Sequence, residues 1–207
     1  MPELRDGQLC TLRKPVLARN TPAIHCAISL ALLLLLWLSG GERLAAQSTP
    51  EEYQTEAKYL LHFAQLVTWP DDTAASSSDS VVLCTLGTDP FPGSLDRMEA
   101  GKVIGARPIQ VRHLAQVEEA TACQVLFISR DEDKQLPVLL PALHNAPVLT
   151  VGETPDFLLS GGMICFVLDE NNVRFEINLD AARAARLKIG SRLLFLAQNV
   201  IGDVRAR

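Results

Sequence analysis

The side chains with the widest chemical repertoire are few and scattered. Past residue 46, the nucleophilic or metal-ligating types reduce to Cys84, Cys123 and Cys165 and to His62, His113 and His144. A zinc site needs several such ligands at short, regular spacing. These histidines stand far apart, and no C-x-x-C pair occurs. Acidic pairs exist at Glu51-Glu52, Asp71-Asp72, Glu118-Glu119 and Asp169-Glu170. Each falls on a helix start, a loop or a polar face, whereas acid–base work needs a buried or tuned environment. Neither G-x-x-x-x-G-K-[ST] nor G-x-S-x-G is present, so the chain has no P-loop and no nucleophile elbow. Gly87 and Gly93 flank a strand-to-helix turn, but Pro90 and Pro92 between them remove backbone donors that a phosphate cradle requires. The pattern points to no enzyme, no cofactor and no metal, and toward a protein that acts by binding.

The cysteines sit in apolar surroundings, VVLCTL, CQVLFI and MICFVL. Two readings stand: small buried core residues, or one disulfide between neighbouring strands, which spacing alone does not decide. The odd count leaves at least one thiol without a partner in the same chain. Arg174 and Glu176 form the most conspicuous charged pair. They occupy the polar side of an alternating stretch whose other side is Val173, Phe175 and Ile177. A surface ion pair is the plainer reading, and the polar part of a ligand or partner site is the other.

The elements that position these residues follow from periodicity and turn chemistry. Ser48 or Thr49 caps a first helix in which Tyr53, Ala57, Leu60, Leu61, Ala64 and Val67 recur at helical spacing. Trp69-Pro70 ends it. His62, between Leu61 and Phe63, reads as structural. Short apolar runs at 81–86, 123–129 and 148–151 predict buried strands, and 103–114 contains another. Helical segments are expected at 91–100, at 116–120 and, broken by Pro137 and Pro141, at 131–144. The block from Gly161 to Ala197 reads as strand, polar turn, strand and then helix, with a last helical segment from Ser191 to about Asn199. Alternation of strand and helix predicts an α/β layered sandwich with a mainly parallel central sheet and an antiparallel edge hairpin. The loops at 87–89, 129–131 and 152–154 then fall at strand ends, where open α/β sheets bind ligands.

The first 46 residues read differently. Arg13, Lys14 and Arg19 precede an apolar core from Ala27 to Leu38, which Ser39-Gly40-Gly41 breaks before Leu44-Ala45-Ala46. This is signal-peptide grammar, with cleavage after Ala46. The core falls short of the roughly 20 residues of a membrane span, so an uncleaved anchor is the lesser alternative. Residues 1–46 are expected to be removed, leaving 47–207 as one exported domain. The leader is basic, so the remaining domain is more acidic than the net −5 of the whole chain. That balance argues against nucleic acid and anionic membranes as partners.

Five ordered blocks resemble a known family: EYQTEAKYLLHFAQLVTWP at 52–70, LCTLGTDPFPGSLD at 83–96, CQVLFIS at 123–129, LTVGETPDFLLSGGMICFVL at 149–168 and VRFEINLDAARAARLKIGSRLLFLA at 173–197. The chain is similar to the YfiR-like exported bacterial proteins. The resemblance implies a periplasmic regulator that represses an inner-membrane diguanylate cyclase, or a related membrane sensor, and lowers cyclic-di-GMP synthesis in biofilm regulation. It implies a homodimer, and an outer-membrane lipoprotein that sequesters the repressor. It also implies a disulfide between Cys84 and Cys123. Cys165 matches a second family pair, but the expected partner position holds Leu158, so Cys165 is expected to be an unpaired thiol. The alternative function is a periplasmic small-ligand sensor or solute-binding module serving another receptor, such as a histidine kinase. The candidate recognition surface comprises Arg174 and Glu176 together with whichever of Tyr59, Phe63 and Trp69 the core does not absorb.

Overall fold

A computed structural model describes residues 49–71, 79–91, 93–99, 102–169 and 172–202. The leader, the serine run at 76–78 and the hairpin tip at 170–171 lie outside the described residues.

Helix α1 (Pro50–Leu66) begins at a capping box: the Thr49 side chain accepts from the Glu52 N–H, and the Glu52 carboxylate accepts from the Thr49 N–H. Ala57, Leu60, Leu61, Phe63 and Ala64 form its buried stripe. The chain then turns extended into β1 (Val67–Thr68) and continues to β2 (Val81–Leu86), α2 (Ser94–Glu99), β3 (Val103–Ile104) and β4 (Arg107–Leu114). A 3-10 turn (Val117–Ala122) leads to β5 (Val125–Ile128), and a second (Arg130–Gln135) runs into α3 (Leu136–Leu143). The rest comprises β6 (Leu149–Gly152), β7 (Ile164–Asp169), β8 (Asn172–Asn178), α4 (Leu179–Ala184), β9 (Lys188–Ile189), α5 (Ser191–Leu196) and β10 (Asn199–Ile201).

The main sheet has eight strands in the order β10-β8-β7-β6-β5-β2-β4-β3. Only the β7–β8 and β3–β4 pairs within it are antiparallel, so the layered α/β expectation holds. The β7–β8 hairpin lies one strand in from the edge. The segment expected to be helical as far as Asn199 leaves the helix after Leu196, and Gln198 N–H donates to the Phe175 carbonyl at 2.9 Å. β10 then pairs parallel with β8, Val200 opposite Ile177. It covers a ladder that would otherwise stand open.

Each central strand serves two cores. Leu83, Phe127, Val151 and Phe166 point toward α1, with Phe91, Leu95, Ala182 and Leu193 completing that layer. Cys84, Leu126, Ile128 and Cys165 point the other way, under Leu136, Leu139, Leu140 and Leu143 of α3. Burial on both faces explains the continuous apolar runs of β2 and β5. β8 alternates because only one of its faces is covered: Val173, Phe175 and Ile177 are buried, and Arg174 is exposed.

Two local features depend on close approach. Gly190 N–H donates to the Leu66 carbonyl at 2.9 Å, and a Cβ there would lie 2.6 Å from the same oxygen. This contact seats β9 against β1 as a separate antiparallel pair. After β6, Phe157 is fully buried between Gly152 and Gly162, where an added Cβ on either glycine would collide with its ring. Gly162→Ala is expected to destabilise the fold by about 1–3 kcal/mol, the scale of overpacking a filled core. Urea denaturation would measure it, and Phe157→Leu in the Gly162→Ala background should recover part of the loss.

Candidate functional site

The C-terminal ends of β5 and β6 carry the buried polar residues Ser129, Glu153 and Thr154. Arg130 follows β5 and Glu153 follows β6, so parallel pairing of those strands sets them side by side. Tyr53 and Glu56, three residues apart on α1, face the same point. Tyr53 Oη donates to the Glu153 carboxylate at 3.2 and 3.4 Å. Arg130 Nη2 reaches Glu153 Oε2 at 3.5 Å and the Glu153 carbonyl at 3.4 Å. The Glu153 side chain is only 4% exposed, and Glu56 is 1% exposed.

These groups border a cavity of about 410 Å³, lined by Glu56, Arg130, Glu153, Leu158, Cys165 and Glu176 among others. Burial, then the charge of Glu153, pushes the Tyr53 phenol up, which keeps it a neutral donor. Burial, then the charges of Glu176 and Glu153, pushes the Cys165 thiol up to about 12. Its Sγ donates to the Thr154 carbonyl at 3.2 Å. A thiol so far from ionising is no nucleophile at neutral pH.

The strand end after β2 is closed by the protein itself. Asp131 accepts from the Thr88 N–H at 3.1 Å, from Thr88 Oγ1 at 2.9 Å and from Ser129 Oγ. The Ser129 bond is the main cause that holds the Asp131 carboxyl below the usual carboxylate range, with Thr88 adding to it. Asp89 Oδ1 accepts from the Phe91 N–H at 2.9 Å. The Thr88 and Phe91 N–H groups of this turn are thus spent on internal carboxylates.

The residues singled out from the sequence separate. Cys84 and Cys123 are bonded, with Cα atoms 6.0 Å apart, inside the core under α3. Cys165 is free and buried in the same core. Phe63 and Trp69 are core residues, which removes them from the candidate recognition surface. Phe63 packs against Phe166 and Phe175, with ring centroids 5.7 and 5.0 Å away, and Trp69 joins the same cluster because the chain doubles back onto the sheet at β1. Tyr59 is half-buried over Phe175, at 5.4 Å. It shares a surface depression with Arg174, and Glu176 opens instead into the strand-end cavity. No ion pair joins Arg174 to Glu176, which corrects the plainer of the two readings. His62 is exposed, with Nδ1 3.4 Å from Gln65 Oε1.

The cluster of Tyr53, Glu56, Arg130 and Glu153 was not anticipated. One signal for it lies in the sequence: Glu56 sits at an apolar position of the stripe that carries Tyr53, Ala57 and Leu60. A charge at such a position demands a buried partner.

The family model described as YfiR/HmsC-like matches residues 53–198, most of the chain. The chain belongs to that family. Two solved structures have a related outline. One is the ABC domain in complex with L-Trp from Streptococcus pneumonia, 9% identical, with a TM-score of 0.48. The other is a conserved domain protein from Vibrio cholerae O1 biovar El Tor, 10% identical, with a TM-score of 0.46. Each match covers 72% of this chain and 60% of the other, so the chain spans about three fifths of the length of those structures. Likeness at these scores carries nothing about function.

The Cys84–Cys123 bond closes a loop with a sequence separation of 39. Removing it with the double change Cys84→Ser and Cys123→Ser is expected to lower stability by about 2–4 kcal/mol. A thiol reagent should label Cys165 only after denaturant unfolds the chain. At Asp131 the lowered native pKa means that the bond set is fully present above the ordinary carboxylate range and is lost as pH falls through the native value. Asp131→Ala should therefore cost about 0.5–1 kcal/mol at pH 7, small because the group is solvent-exposed. The deficit should shrink below about pH 4, which denaturation curves at several pH values would show.

Proposed function

We propose that this chain is an exported periplasmic protein that represses an inner-membrane diguanylate cyclase and so holds cyclic-di-GMP synthesis low. The observation that carries this reading is the family match over residues 53–198. Among the described residues, no helix is long and apolar enough to cross a membrane. Residues 1–46 serve as the cleaved leader and 47–207 as the working domain. It acts without catalysis. A binding protein shifts a membrane enzyme toward an inactive state by binding that state more tightly. An outer-membrane lipoprotein that competes for the repressor would relieve the inhibition, and a homodimer would present the surface twice.

The surface best suited to docking runs from the Tyr59–Arg174 depression to α5. Tyr59 and Leu196 border one groove with Arg192. Beside it Phe195 is 87% exposed, which is unusual for a side chain of that size. Aromatic anchors within a polar rim are the usual centres of binding energy.

Two measurements test this. Loss of the gene should raise cellular cyclic-di-GMP, and tagged chain should recover a diguanylate cyclase from host envelopes. Phe195→Glu should leave stability within about 0.5 kcal/mol, as an exposed change does, yet release the cyclase. An envelope pull-down with folded chain and no cyclase would overturn the proposal. Recovery of a histidine kinase in its place would favour the sensor-module reading.

A further inference from the structure

The docking surface proposed above continues past α5 along the open face of α1. Lys58, His62 and Gln65 stand at i, i+4 and i+7 on that helix, so they form one exposed stripe about 10 Å long. Two grooves border the stripe. Tyr59, Arg192 and Leu196 wall the first, and Lys102 and Val103 wall the second. His62 and Gln65 line both, so the grooves are continuous. Their volumes are about 320 and 280 Å³.

Charge sets this band apart. No carboxylate lines either groove, whereas Lys58, Lys102 and Arg192 do. The cause is local sequence: no Asp or Glu occurs from Ala57 to Pro70 or from Ala181 to Gly202. Yet the whole chain is net −5, and its leader is basic, so the rest of it is more acidic still. Among the described residues, no ion pair engages Lys58, Lys102 or Arg192. Apolar side chains stand at both ends of the band. Val103, next to Lys102, is 56% exposed, and Phe195, 87% exposed, follows Arg192 by three residues on one helix face.

We infer that this band binds an acidic, amphipathic segment of a partner protein, whose carboxylates meet Lys58, Lys102 and Arg192 and whose apolar side chains meet Val103, Phe195 and Leu196. The inference names the chemistry of the partner's docking face and rests on the regulator reading for the partner's identity. A basic or neutral segment would leave the three cations uncompensated. Anionic lipid offers the same charge, but a bilayer presents a broad surface, and this band is a pair of grooves. Grooves of this kind are filled by the side chains of a protein segment.

The test compares the full chain with the triple variant Lys58→Glu, Lys102→Glu and Arg192→Glu, all at exposed positions where the fold tolerates change. Lys134→Glu, exposed in the turn before α3, is the control. Three soluble peptides are titrated by calorimetry, of alternating Glu and Leu, Gln and Leu, and Lys and Leu. The Glu peptide should bind the full chain and the control alike, and more weakly as salt rises from about 50 to about 500 mM. The triple variant should lose about tenfold, the scale of three exposed charge contacts together. The Gln and Lys peptides should bind more weakly than the Glu peptide. Equal affinity for all three peptides, unchanged affinity in the triple variant, or no binding of the Glu peptide by about 1 mM would overturn the inference. So would sedimentation with phosphatidylglycerol vesicles that the triple variant loses and the control retains, in favour of a membrane surface. Envelope pull-downs separate this from the regulator reading. Cyclase recovered equally by the full chain and the triple variant refutes the inference alone. Absence of cyclase with the peptide pattern intact refutes the regulator reading alone.

Discussion

A mainly parallel sheet must be covered on both faces, and the surface of this domain follows from how far each cover reaches. One layer, led by α1, spans the sheet from Ile104 of β3 to Ile177 of β8, with Val200 of β10 packed against it. The opposite layer, built on α3, extends from Leu114 of β4 only as far as Cys165 of β7. Beyond that point β8 presents Arg174, Glu176 and Asn178 on its uncovered face. The polar side of β8 and the cavity beside Cys165 both arise where the second layer ends.

The same shortfall organises the electrostatics. Parallel pairing aligns the ends of β5 and β6, which places Arg130 beside Glu153. The first turns of α1 bring Tyr53 and Glu56 over them. Carboxylates drawn so far from water are retained only when donors or cations meet them. At the neighbouring strand end the demand is met internally, by Asp131 accepting from Thr88 and Ser129. At the cavity Glu153 accepts from Tyr53 Oη and pairs with Arg130, so this end too is held by internal donors.

Much of this was readable from the residues. Alternation of Val173, Phe175 and Ile177 marked a strand with one covered face, and a cap at Ser48 or Thr49 marked the helix start. The apolar runs at 81–86 and 123–129 marked buried strands. The bond between Cys84 and Cys123 needed the family resemblance, because spacing cannot report pairing geometry. Besides the Tyr53, Glu56, Arg130 and Glu153 cluster, three features escaped. β10 is a three-residue strand whose propensity is weaker than the pull of the open β8 edge. Phe63 and Trp69 are too large and apolar for their exposure to be judged without the packing around them. α4 ends with Arg186 at φ 58, in a left-handed turn closed by the Leu187 N–H to the Ala182 carbonyl at 2.9 Å. No glycine announces it.

Family membership, with the docking surface proposed beside α1, makes regulation of a membrane enzyme the central claim. Its most direct test is inhibition itself. Spheroplasts of the host lacking this gene would be given purified chain from outside while cyclic-di-GMP synthesis is followed inside. A saturable fall in synthesis, absent when the chain is denatured beforehand, is the predicted result. Synthesis unchanged at saturating concentrations of folded chain would contradict the account.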